Sequence, residues 1–183
     1  MSNDAWRVYY AGRNVTLYCA GAVFMAEKIK LDSVDRQILH DLQDHGRMTN
    51  VDLAKNAGIS APPCLRRVRA LEDAGIIKGY HADIDSDALG YSVQVFAFVG
   101  LTSQAETDLQ DFETLVSTWP QVRECHMLMG ETDFLLKIVA HDWDDFQKFL
   151  TSHLTPAKNV SHVKTALSIR SAKQLVGVPI NQA

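Results

Sequence analysis

Three short amphipathic segments lie between Leu31 and Gly75, each only a few residues from the next, and this spacing constrains the fold more than any other feature of the chain. Asp32, with Asp35 three residues on, resembles a capping box, and Leu31, Val34, Ile38, Leu39 and Leu42 then recur at helical spacing until Gly46. Thr49 with Asp52 opens a second, short helix expected to bury Val51, Leu53, Ala54 and Ala57 before Gly58 stops it. Ser60 opens a third, in which Pro62 and Pro63 fall in the first turn, where a missing N–H costs little. Its expected buried stripe is Leu65, Val68 and Leu71, and Gly75 ends it. A helix, a short helix, a glycine-containing turn and a longer helix in this order make a helix-turn-helix unit. Residues 76–84 read as a following strand, a wing or hinge, and the acidic, Gly-ended stretch 85–90 as a linker.

Beyond the linker the periodicity alternates. Residues 91–101 are rich in Val and Phe and read as a strand, and 106–119 place Leu109, Phe112, Leu115 and Val116 on one helical face before Pro120. Residues 122–129 and 134–140 are apolar strands joined by a tight turn at 130–133. Asp142 caps a helix expected to bury Trp143, Phe146, Phe149, Leu150 and Leu154, and Val163, Thr165, Leu167 and Ile169 alternate as a last strand. The order β-α-β-β-α-β predicts a ferredoxin-like fold, one antiparallel sheet with two helices on one face. Strand 91–101 carries apolar residues on both faces, Val93, Val95, Ala97 and Val99 against Phe96 and Phe98, so the uncovered face is expected to pack on a second subunit. The fold class is thus α+β: a winged-helix-like helix-turn-helix domain at residues 30–84, the linker 85–90, and a ferredoxin-like domain at 91–183.

Composition narrows the function classes. Net charge is −4, yet residues 30–80 carry 8 Lys and Arg against 7 Asp and Glu while 81–183 carry 7 against 13, so the acidity belongs to the second domain. The helix-turn-helix region can therefore still meet a polyanion. Three cysteines, Cys19, Cys64 and Cys125, are odd in number and lack CxxC spacing, which disfavours a disulfide framework or structural zinc and fits a reducing cytoplasm. Cys64 reads as a small core residue; Cys125 and His126 are neighbours on a strand, point to opposite faces and cannot readily share a metal, so no metal or cofactor is expected. Residues 1–29 contain a short apolar run broken by Thr16, Tyr18 and Gly21, too little for a membrane span; the segment reads as a disordered extension or as sequence upstream of a start at Met25.

With Leu65, Val68 and Leu71 inward, Arg66 and Ala70 point outward on the third helix, flanked by Arg67 and Arg69. The guanidinium fork suits both guanine in the major groove and phosphate, which makes Arg66 the base-reading candidate and Arg67 and Arg69 phosphate candidates. A solvated basic helix pairing with Glu72 or Asp73 would look the same outside a helix-turn-helix. Ser60 at the N-cap faces Pro62 and Pro63 where its hydroxyl would ordinarily find N–H donors, which leaves its side chain free to meet double-stranded DNA.

The run from Ile59 to Glu72, ISAPPCLRRVRALE, followed by Gly75-Ile76-Ile77-Lys78-Gly79-Tyr80, resembles the Lrp/AsnC family of feast/famine transcription regulators. Glu124-Cys125-His126 and then Gly130-Glu131-Thr132-Asp133-Phe134-Leu135-Leu136-Lys137 is similar to that family's effector-domain hairpin. The resemblance runs from about Leu31 to Ile180. It implies a homodimer through the second domain, built up to tetramers or octamers, and an amino-acid effector held near the hairpin turn by Gly130, Glu131, Thr132 and Asp133, with Met127 and Met129 as wall residues. Turn N–H groups can receive a carboxylate and Asp133 an ammonium. This chain has Glu131 and Thr132 where many members carry aspartate and an aromatic residue, and Pro62 where a hydrogen-bonding residue is common. Two other classes compete with the regulator: a small ferredoxin-like enzyme, for which no convergent acid, base and nucleophile is visible, and an oligomeric amino-acid-binding module with a vestigial helix-turn-helix. Salt-dependent DNA binding separates the regulator from both.

Overall fold

The computed structural model describes residues 7–10, 13–16 and 30–180, and the chain forms two compact units, one built on residues up to Ala82 with the segment from Val176, the other on Asp83–Leu175. Within the N-terminal extension, β1 (Arg7–Tyr10) pairs antiparallel with β2 (Arg13–Thr16). The rest of the extension, including Met25, lies outside the described residues.

The first unit is the expected helix-turn-helix: α1 (Ser33–Asp44), α2 (Asn50–Asn56) and α3 (Ala61–Asp73). The Asp32–Asp35 capping box forms in both directions, and Thr49 caps α2 by accepting from the Asp52 N–H. Gly58 and Gly75 close α2 and α3 at φ 68°, a left-handed conformation in which the Ile59 and Ile76 N–H groups reach back to the Ala54 and Leu71 carbonyls. Ile38, Leu53, Ala54, Cys64, Val68 and Leu71 form the core.

Three expectations change in this unit, two of burial and one of a strand. On α3 the inward stripe is Cys64, Val68 and Leu71, and Leu65 is 39% exposed, because the helix turns one residue further than the hydrophobic pattern suggests. Val51 is exposed, since two turns of helix present only one stripe and Leu53 and Ala54 occupy it. Residues 76–84 form no strand: the Ile76 and Ile77 N–H groups are taken up by the Leu71 carbonyl, and nothing among the described residues offers 78–84 a ladder partner. Tyr80 instead donates its hydroxyl to Glu72 at 2.8 Å, and burial together with that carboxylate pushes the phenol up to about 12.

The second unit is the ferredoxin-like sandwich: β3 (Val93–Leu101), α4 (Glu106–Ser117), β4 (Val122–Met127), β5 (Phe134–Ala140), α5 (Trp143–Phe149) continued by a π-turn at Leu150–Leu154, and β6 (Val160–Leu167). The antiparallel sheet runs β4-β5-β3-β6. Val95, Ala97, Val99, Phe134, Leu136 and Ile138 project from the central strands onto Phe112 and Val116 of α4 and onto Phe146, Phe149 and Leu154. On the other face Phe96 and Phe98 stay half-buried. Trp143, expected inward, is exposed at the first position of α5, its ring tilted against Phe146. Leu167 is exposed on the edge strand and Ile169 lies beyond its end, because the two helices cover the central strands first.

Candidate nucleic-acid interface and effector turn

Two buried carboxylates on α1 hold the helix-turn-helix together. Asp41 accepts from Gln37 on its own helix and from Asn56 at the end of α2, at 2.8 and 2.9 Å. Asp35, 8% exposed, faces Arg67 of α3, whose Nη1 lies 2.7 Å from Asp35 and 2.9 Å from Asp32. The Asn50 side-chain amide completes the frame, donating to the Ala61 carbonyl at the start of α3. The Asp35 N–H and the Arg67 guanidinium hold the Asp32 carboxyl below its ordinary value, and the Asp35 carboxylate raises Arg67 in return.

The outer face of α3 therefore carries Pro62, Arg66, Arg69 and Ala70, all exposed, together with Leu65. Among the described residues Arg66 and Arg69 have no carboxylate partner, unlike Arg67. Ser60 sits at the N-cap without a side-chain capping bond, as the prolines at positions 62 and 63 require. Cys64 is buried beneath this face, and burial pushes its thiol up, in keeping with a core role.

At the other site, six residues join β4 to β5, and the Leu128 N–H closes the connection on the Asp133 carbonyl at 2.7 Å. Met127 and Met129 are both largely exposed, at 61% and 71%, and Gly130 and Glu131 stand at the tip. Gly130 has ordinary backbone angles and open space around its Cα, so the turn does not demand glycine there. The N–H groups of Met129, Gly130, Glu131 and Thr132 have no partner among the described residues. Asp133 is already engaged: one oxygen accepts from the Leu101 N–H at 2.6 Å and the other from Gln104 at 2.7 Å.

The loop after β3 is thereby part of the site, which sequence reasoning missed. Asn159, at φ 70°, clips it from the far side: its side chain accepts from the Ser103 N–H at 3.0 Å and from the Thr102 hydroxyl, and donates to the Ser103 carbonyl at 2.9 Å. The available signal was asparagine itself, one of the few side-chain-bearing residues that settle in the left-handed region. On the open sheet face Glu124 is held below its ordinary value, chiefly by Lys137 at 2.9 Å and also by His126. Cys125 points to the helix side, its thiol pushed up to about 11 by burial and the nearby Glu113 carboxylate. It borders a cleft of about 350 Å³ between α4 and β4, away from the 128–133 turn.

Comparison with known proteins agrees with this division of labour. Residues 31–78 match a winged helix-turn-helix DNA-binding domain and residues 94–178 the Lrp/AsnC ligand binding domain. The chain is 49% identical to the leucine-responsive regulatory protein of Rhizobium meliloti over 85% of its own length and all of the relative's, and 38% identical to the Escherichia coli K12 protein of the same name over 79% and 88%. It superposes on a transcriptional regulator of Neisseria meningitidis solved as an L-Met complex with a TM-score of 0.78 at 35% identity, covering 82% of this chain and 97% of that one. A DNA-binding helix-turn-helix unit followed by a ligand-binding α+β unit, each matched along its length, places this chain in the Lrp/AsnC family of transcription regulators.

Proposed function

We propose that this regulator reads duplex DNA through the outer face of α3 and answers to a free amino acid bound at the 128–133 turn. The observation that carries the DNA contact is the asymmetry of the α3 arginines. Arg66 and Arg69 are exposed and, among the described residues, unopposed, so their charge is available to a base edge and to phosphate respectively, with Ser60, Pro62, Pro63 and Ala70 forming the surrounding contact surface. In the turn, the four residues before Asp133 carry N–H groups with no partner among the described residues, and these with the Asp133 carboxylate fit the carboxylate and ammonium of one amino-acid ligand. Each Asp133 oxygen accepts one bond here and can accept another. The exposed Met127 and Met129 supply apolar wall for the side chain, and the Neisseria regulator's L-Met complex supports this ligand class.

The turn is too open in a single chain to enclose a ligand, which favours a site completed between subunits. Phe96 and Phe98 on the uncovered sheet face supply the apolar surface for a homodimer, and dimers joined at their turns would give a tetramer or octamer. A cytoplasmic regulator without catalytic activity is the reading this supports. The test is selection of duplexes from a random-sequence pool, followed by calorimetric screening of the common amino acids with sedimentation alongside. An enriched sequence and one or more amino acids that bind and shift assembly are expected. No enrichment would remove the DNA reading, and no amino-acid binding would remove the effector reading.

A further inference from the structure

Arg67 and Arg69 flank Arg66 alike in the sequence reading of α3 but differ in the structure. Arg67 lies about 100° around the helix from Arg66 and turns toward α1, where a single nitrogen bridges Asp35 and Asp32. Its side chain is 36% exposed, while that of Asp35 is 11% exposed. Asp35 also accepts from the Asp32 N–H at 3.2 Å, and among the described residues the guanidinium is its only cationic partner. Drawing Arg67 out to a phosphate would strand a buried carboxylate, which is costly in a low-dielectric site. Two carboxylates already oppose the one guanidinium, so little of its charge is left to attract a phosphate.

We propose that Arg67 is a positioning residue, not a DNA contact: it clamps the middle of α3 to the first turn of α1 and so sets the angle at which Arg66 and Arg69 meet the duplex. The inference rests on α3 being the DNA-reading helix. It assigns the capping box of α1 a second task, since Asp32 and Asp35 both close that helix and hold the next-but-one helix in place. The clamp acts on selectivity, because a base contact depends on helix orientation far more than a nonspecific phosphate contact does.

The two roles for Arg67 predict opposite signs for its partner. If Arg67 contacted phosphate, Asp35→Asn would free it and tighten binding; if it clamps, the same substitution loosens α3 and weakens selective binding. The experiment uses the full-length protein, a duplex enriched from a random pool by wild type, and a scrambled duplex of the same composition, each titrated across a salt series. Arg67→Gln and Asp35→Asn are both expected to lose about tenfold on the enriched duplex, the scale of one base contact, and little on the scrambled one, with the salt slope unchanged. Asp32→Asn keeps the N-cap while removing one of the two carboxylates, so a smaller loss in the same direction is expected even where the other variants melt too low to assay. Arg66→Ala serves as control: its loss of selectivity establishes that α3 reads DNA, independently of Arg67. Tighter binding by Asp35→Asn, or a salt slope lowered by about 0.9 in Arg67→Gln with equal losses on both duplexes, would overturn the assignment.

Discussion

The proposed effector site gives Asp133 two tasks, to hold the fold and to meet the ligand, and two substitutions separate them. Replacing it with alanine removes the acceptor of the Leu101 N–H, in a residue only 8% exposed, and leaves a buried donor unsatisfied at a cost of about 1–3 kcal/mol. The bond from Gln104 is exposed and adds little. Asparagine keeps a carbonyl oxygen for Leu101, and the Gln104 amide can rotate to receive the new NH₂, so the fold should lose less than about 1 kcal/mol. Both variants lose the negative charge that would meet an ammonium, a charge-assisted bond worth about 1.5–3 kcal/mol, or roughly tenfold to a hundredfold in affinity. Urea denaturation gives the first quantity, and calorimetry with the amino acid found for wild type gives the second. Asp133→Asn should therefore fold as wild type while binding far more weakly, and Asp133→Ala should fail on both counts, with α1–α3 intact in each. An asparagine variant that binds the amino acid as tightly as wild type and shifts assembly equally would show that Asp133 is a clamp for the β3 loop and nothing more.

Arg66→Ala should cost about 1–3 kcal/mol on an enriched duplex and little on a scrambled one, whereas Arg69→Ala should weaken both alike; parallel titrations at one salt concentration decide this. Phe134→Ala, at a fully buried ring 4.8 Å from Phe112, should destabilise the second unit by about 3–5 kcal/mol in urea, and a loss under about 1 kcal/mol would mean that the sheet does not depend on this contact. Gly177 stands at φ 76° with no room for a Cβ beside the Gln43 carboxamide, which both donates to and accepts from the Val178 backbone at 3.0 Å; Gly177→Ala should release this segment from α1 by more than about 1 kcal/mol, read as lost hydrogen-exchange protection at the Val178 amide. The depressed Asp32 carboxyl contributes stability that is fully present above its unfolded value, near 3.8, and lost as pH falls through its lower folded value, so α1 amide protection should drop in that acid window in wild type and drop less in Asp32→Asn.

What could be read from the chain and what could not divide along a physical line. Helix starts, glycine stops and the β-α-β-β-α-β order depend on residues within about one turn or one strand of each other, and those signals (Asp32 with Asp35, Gly58, Gly75, the alternation through Val95, Ala97 and Val99) produced the elements that the structure contains. The finer differences sit where a partner distant in sequence decides. Leu65 and Cys64 are adjacent, and either could have started the buried stripe of α3; which one does is set by the packing of α3 against α1, where Ile38 and the Asp35–Arg67 pair lie. Arg67 read as a phosphate contact because its two carboxylates are more than thirty residues upstream. Asp133 read as a free ligand-facing group because its donors lie at the end of β3 and in the loop after it. In both cases a charged residue proposed for a ligand proved to hold a structural bond as well, and for Asp133 the two uses are compatible because a carboxylate has lone pairs to spare. The guanidinium of Arg67 has donors to spare too, but it stands between two carboxylates on the flank of its helix, so geometry and local charge turn it inward while Arg66 and Arg69 are left to the outer face.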